Sequence, residues 1–304
     1  MKQLFAKVKA GLTSIALGSI VWLLRAVMRW FPKNLRAVIL FQLGLGILIF
    51  GWFWIGRRMN SNLRLLRPDL NWAQRLMVTV RNIWTLTRAW TFLLSNEEIA
   101  PEDMQARVEG AEPLLESYNA GTKTIVAFVH IAVNELVPAV SALGVRAFAP
   151  AEAIPELLYQ AMARLRARHG NVEFTRISRG QTLPVCRQKL AEGWIVVLAL
   201  DMIRQAGSGG VLCRLGTAKG YFPVGAVKLA LEEEASLWLA LPYYDQKGVA
   251  RLRIEGPFEL TRTGEVVADI ESNTCRLVAA YESFILERLA DWWQLPWVKL
   301  TRKE

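Results

Sequence analysis

A chain of 304 residues with 53% hydrophobic residues and a mean hydropathy of +0.22 is too polar for a multi-span transporter and apolar for a soluble enzyme. Net charge is +10 but uneven: residues 1–95 carry fourteen Lys or Arg against one acid, Asp69, while the rest is near neutral. Seven of the twelve Trp share that basic stretch, a mixture that favours an anionic membrane surface over nucleic acid.

Taken in chain order, the first apolar run, Gly11–Leu24, follows Lys2, Lys7 and Lys9, but no small-residue cleavage site separates it from Arg25 and Arg29. The second, Val38–Ile55, has only Gln42 as a strongly polar residue and precedes Arg57 and Arg58. As a helix it reaches roughly 27 Å, near the lower limit for spanning hydrocarbon. An N-terminal apolar helical membrane anchor over 1–60 is therefore expected, as one short span or an in-plane hairpin, with a buried core helix as the alternative. After Asp69 or Asn71, the residues Leu76, Val80, Ile83, Trp84 and Thr87 recur at helical spacing, predicting an amphipathic helix with basic residues on its other face.

From residue 120 onward, short apolar runs alternate with helical stretches. Strands are predicted at Thr124–Val129, Val145–Ala149, Val172–Ile177, Ile195–Leu200, Ser236–Tyr243 and Arg251–Glu255, the last antiparallel or at an edge. Helices are predicted at Glu135–Leu143, Ile154–Arg168, Leu183–Ala191, Gly225–Glu233 and Asn273–Trp293. Such alternation specifies an α/β fold with a mixed, largely parallel sheet flanked by helices, here a domain over 61–304. The C-terminal "LADWWQLPWVKLTRK" sets Trp292, Trp293 and Trp297 beside three bases, as an interfacial contact or a helix docked on the core. Cys186, Cys213 and Cys275 are widely spaced, which argues against zinc ligation and a disulfide framework and suggests a reducing compartment. His130 and His169 are too far apart, without a ligand cluster, to predict a metal site.

Within "TIVAFVHIAVNELVPAV", His130 ends a buried-strand pattern and Glu135 lies one and a half turns into the helix that follows. At a strand's carboxyl end the imidazole stands where α/β active sites gather. A carboxylate at Nδ1 would fix the tautomer and leave Nε2 free to take a proton. No Ser or Cys adjoins the histidine as nucleophile, so the base would act directly on a substrate hydroxyl.

The spacing of His130 and Glu135 resembles the H-x4-D/E signature of the lysophospholipid acyltransferase superfamily. The chain as a whole resembles the lipid A biosynthesis lauroyl/myristoyl acyltransferase family of Gram-negative bacteria. That likeness runs through "RRMNSNLRLLRPDLNWAQR", "RLRARHG", "KLAEGWIVVLALD" and "CRLGTAKGYFPVGAVKLALEEEASLWLALPY", in family order and spacing. It implies a glycerol-3-phosphate acyltransferase-like fold in which His130 is the general base and Glu135 its orienting partner. Arg166 or Arg168 would hold a phosphate or other anionic part of a substrate, since guanidinium binds oxyanions bidentately. Asp201 would position the site or an arginine, and Gly216 with the turn around Pro223 and Gly225 would shape an acyl pocket.

The resemblance thus implies a membrane-bound O-acyltransferase at the bacterial inner membrane, its catalytic domain facing the cytoplasm. The acyl donor would be an acyl carrier protein or acyl-CoA thioester, and the acceptor an anionic lipid A-like hydroxyl, with no further cofactor. Alternatives are a lyso-ornithine lipid, lysophospholipid or glycosylated polyene acceptor, a non-catalytic lipid-binding homologue, and a thioesterase-like hydrolase.

Overall fold

The computed structural model describes residues 55–94, 101–132, 134–152, 171–178, 180–203 and 209–302, with scattered positions between 26 and 46 and between 159 and 166. Two helices, α1 (Arg57–Leu66) and α2 (Trp72–Leu94), lead through α3 (Pro101–Gln105), β1 (Val108–Glu109) and α4 (Glu112–Asn119) into β2 (Thr124–Phe128). A 3-10 helix, Asn134–Leu143, precedes β3 (Ala147–Glu152) and β4 (Val172–Ile177). Then come α5 (Thr182–Ala191), β5 (Ile195–Ala199), β6 (Gly210–Leu215), β7 (Ala218–Pro223), α6 (Gly225–Glu232), β8 (Ser236–Tyr244) and β9 (Ala250–Glu255). The long α7 (Val266–Glu287) and the short β10 (Thr301–Arg302) close the chain.

Seven strands form a mixed sheet in the order β1-β9-β8-β2-β5-β3-β4. The five from β8 to β4 run parallel, and β9 is antiparallel to β8. The central strands, TIVAF and IVVLA, are apolar on consecutive residues because both faces of a parallel sheet are covered. Ile125, Ala127 and Val129 face one core, filled by Met59 and Leu63 of α1 and by Leu277, Val278 and Tyr281 of α7. Val126 faces the other, with Leu114 of α4 and with Val137 and Val140 of the 3-10 helix. The Tyr281 hydroxyl crosses under the sheet, donating to the Ala127 carbonyl and accepting from the Ala240 amide. Complete burial pushes its pKa well above the usual value, so it remains a neutral strut between β2 and β8.

The structure corrects the expected N-terminal membrane anchor. Among the described residues no helix is long and apolar enough to cross a membrane. Where the apolar run Val38–Ile55 is described, Val38 is exposed while two of its side chains pack internally. Phe41 meets Trp84 of α2 edge-on at 5.1 Å, and Ile55 packs against the main core. The remainder of that run, and Gly11–Leu24, lie outside the described residues. The expected boundary at residue 60 falls inside α1, whose Met59, Leu63 and Leu66 belong to the core of the following domain.

Two further expectations are revised. Cys213 of β6 and Cys275 of α7 are joined by a disulfide, with Cα atoms 5.1 Å apart, and Cys186 is a buried free thiol. The pairing has no signature in spacing, because the β6–β7 hairpin folds across α7 from 62 residues away. The buried positions of α2 are mostly polar: Thr79, Asn82, Thr85 and the expected Thr87 are buried along with Ala89, while Trp72 and Met77 are exposed. Asn82 and Thr85 of that stripe meet the short 3-10 turn Leu289–Asp291 after α7, whose backbone carbonyls need donors once they are out of water.

Candidate active site

Parallel pairing of β2 with β5 sets Phe128 opposite Ala199. Two residues further along each strand, past the last ladder bonds, stand His130 and Asp201. Neighbouring strands are about 4.8 Å apart, so these two side chains meet at the carboxyl edge of the sheet. His130 Nδ1 lies 2.6 Å from Asp201 Oδ1. The second oxygen, Oδ2, accepts the His130 backbone N–H at 2.7 Å and the Trp292 indole N–H at 2.8 Å. Asp201 is wholly buried, whereas the His130 side chain keeps 19% exposure.

These contacts decide where the imidazole proton sits. A carboxylate only accepts, so Nδ1 carries the hydrogen and, in the neutral ring, Nε2 keeps its lone pair. Three donors on one carboxylate also offset the cost of burying its charge. Among the described residues no hydroxyl or thiol is hydrogen-bonded to His130. The Phe128 ring lies 4.9 Å from the imidazole, centroid to centroid, and gives it an apolar wall.

The loop bearing His130 is fixed from the far end of the chain. Trp293 N–H donates to the His130 carbonyl and Ala132 N–H to the Asp291 carbonyl. The Trp293 indole N–H donates to the Ala132 carbonyl at 2.7 Å, and Ile131 bridges Trp292 in antiparallel fashion. Ala132 is held at φ +52, a left-handed conformation that a non-glycine residue keeps only where surroundings impose it. The Trp292 segment is in turn held by α2. Asn82 donates to the Ala290 and Trp292 carbonyls, and the Thr85 hydroxyl to the Asp291 carboxylate at 2.6 Å. Orientation thus runs from α2 through Trp292 to Asp201 and so to the imidazole.

Of the residues singled out in the sequence, His130 and Asp201 are brought together. Glu135 lies in the 3-10 helix, and its side chain is outside the described residues, as is all of Arg168. Arg166 is buried to 7% exposure with its guanidinium 4.0 Å above the Phe174 ring. Phe174 belongs to edge strand β4, three strands or about 14 Å from β2, where Arg166 packs as a planar cation on an aromatic face. Gly216 occupies the β6–β7 turn, its N–H donating to Glu282 at 2.9 Å. Trp292 was not singled out for the site. Its signal is an indole among apolar residues beside an acid, which equally marks core packing. Among the described residues no cluster of acidic, His or Cys side chains could hold a metal ion. No protein-family model and no curated protein matches the chain.

Proposed function

We propose that the chain is an O-acyltransferase that moves a fatty acyl group from a thioester donor, on acyl carrier protein or CoA, to a hydroxyl of an anionic lipid or glycolipid. One observation carries this reading: an imidazole with Nδ1 held by a buried carboxylate, Nε2 unbonded among the described residues, and no protein nucleophile bonded to it. Such a base acts on an alcohol brought by the substrate. Nε2 takes the hydroxyl proton as the oxygen attacks the thioester carbonyl. Asp201 stabilises the imidazolium that forms. The tetrahedral intermediate then expels thiolate, which recovers the proton from Nε2, leaving an ester and a free thiol. The block order that resembles the lipid A acyltransferases, and a net charge of +10 suited to acidic carriers and anionic acceptors, add support.

The test is incubation of the purified protein with labelled acyl carrier protein or acyl-CoA and a bacterial lipid extract, followed by mass spectrometry. The expected product is a lipid heavier by one acyl group, lost by about 10² to 10⁴ in rate in His130→Ala. Free fatty acid released without an acceptor would point instead to a hydrolase. An undiminished His130→Ala rate would overturn the mechanism.

A further inference from the structure

An open cleft of about 440 Å³ lies where the β6–β7 turn abuts the end of α1, lined by Arg64, Leu65, Pro68, Arg214, Thr217 and Arg302. Three separate pieces of chain supply its arginines. Arg64 comes from the last turn of α1 and Arg214 from β6. Arg302 is brought by β10, which pairs with β7 so that Arg302 stands opposite Ala218. The turn is built to sit this close. Gly216 adopts φ +61, and a Cβ there would come within 3.0 Å of the Leu66 carbonyl oxygen. The Thr217 hydroxyl donates to the Leu65 carbonyl, tying hairpin to helix.

The surrounding charges are unbalanced. Arg67, just past α1, is satisfied bidentately by Asp69 and is turned to that use. In the cleft Arg214 has Glu282 at 3.7 Å, a carboxylate also engaged by the Gly216 N–H. Among the described residues neither Arg64 nor Arg302 has a carboxylate partner. Guanidinium groups lining one opening repel each other until an anion enters. We infer that Arg64, Arg214 and Arg302 form a binding site for the phosphate group of a phosphorylated ligand. A phosphate offers three non-bridging oxygens and up to two charges, matching several planar donor forks, whereas a carboxylate would satisfy one. Leu65 and Pro68 supply an apolar wall for whatever the phosphate is attached to, and the open side lets that part extend into solvent. The site shares no residue with the His130–Asp201 pair and stands whether or not that pair transfers acyl groups.

The phosphate could belong to a soluble ligand or to a lipid headgroup, and two probes distinguish these. Full-length protein is titrated with pyrophosphate by calorimetry. In parallel it is sedimented with phosphatidate-containing and pure phosphatidylcholine vesicles at near-physiological salt. Binding of pyrophosphate that weakens at least tenfold in Arg64→Gln/Arg302→Gln identifies a soluble phosphate ligand. Binding only to phosphatidate vesicles, with the same loss, identifies a headgroup. The single Arg302→Gln, on an exposed terminal strand, should weaken binding at least threefold and remains readable should the double variant misfold. Failure to bind either probe, or binding that is the same in the variants, overturns the site.

Discussion

Asp201 accepts from Nδ1 of His130, from the His130 backbone and from the Trp292 indole while fully shielded from water. Replacing it with Asn keeps the shape and reverses the chemistry. The amide can offer N–H to Nδ1, which then has to accept, and the proton moves to Nε2. Asp201→Asn should therefore lower the acyl-transfer kcat by about 10² to 10⁴ with KM little changed, measured by steady-state kinetics on the thioester donor. A rate within a few-fold of the parent protein would remove Asp201 from the mechanism. The histidine was legible in sequence because a run of buried-strand residues ends on it. Its partner was not legible as such. Asp201 lies 71 residues away, and only the adjacency and register of β2 and β5 bring the two strand ends together. The five-residue spacing of His130 and Glu135 draws attention to a local carboxylate, but Nδ1 is filled by the distant one.

At the scale of elements, α2 departs from the rule that a helix buries its apolar stripe. Its apolar periodicity through Leu76 and Val80 points toward a face that includes exposed positions, while Thr79, Asn82 and Thr85 are buried. The 3-10 turn Leu289–Asp291 and its exit account for two of these residues, Asn82 donating to two carbonyls and Thr85 to the Asp291 carboxylate. Asn82→Ala would strand the Ala290 and Trp292 carbonyls, costing about 1–3 kcal/mol. Denaturant unfolding should register that loss, and hydrogen exchange should rise in 289–293 and in the His130 loop before it rises in β5. Activity should fall too, although Asn82 touches no substrate. Unchanged exchange in both segments would show that α2 does not hold the site. By contrast, strand positions were readable to within a residue or two at β2, β4, β5 and β8, because runs such as TIVAF and IVVLA are apolar on both faces. The β6–β7 hairpin escaped notice: "GVLCRLGTAKGYFP" mixes bases, glycines and apolar residues without strict alternation.

At the scale of the whole molecule, the described residues form one mixed sheet between two helical layers, with the small β10-β7-β6 sheet laid against α7. The Cys213–Cys275 bond fastens that small sheet to the long helix across 62 residues. Closing a loop of this size is worth about 2–4 kcal/mol. Non-reducing peptide mapping should recover the linked peptides, and Cys213→Ala/Cys275→Ala should unfold at lower denaturant by that amount. Free thiols at both positions in protein purified without reductant would contradict the pairing. The N-terminal apolar run shows why composition misleads at this scale. Eighteen residues without a charge suit a bilayer by length, yet Phe41 and Ile55 are used against α2 and the core.

The central claim, an imidazole presenting an unprotonated Nε2 from a buried aspartate, is open to direct observation. With two histidines in the chain, ring-selective 15N NMR gives two pairs of ring-nitrogen signals, and His130→Ala assigns one pair. The account predicts a far-downfield, slowly exchanging proton on Nδ1 of His130, a pyridine-like Nε2 in the neutral imidazole, and the opposite tautomer in Asp201→Asn. An Nε2–H tautomer in the unaltered protein would contradict it.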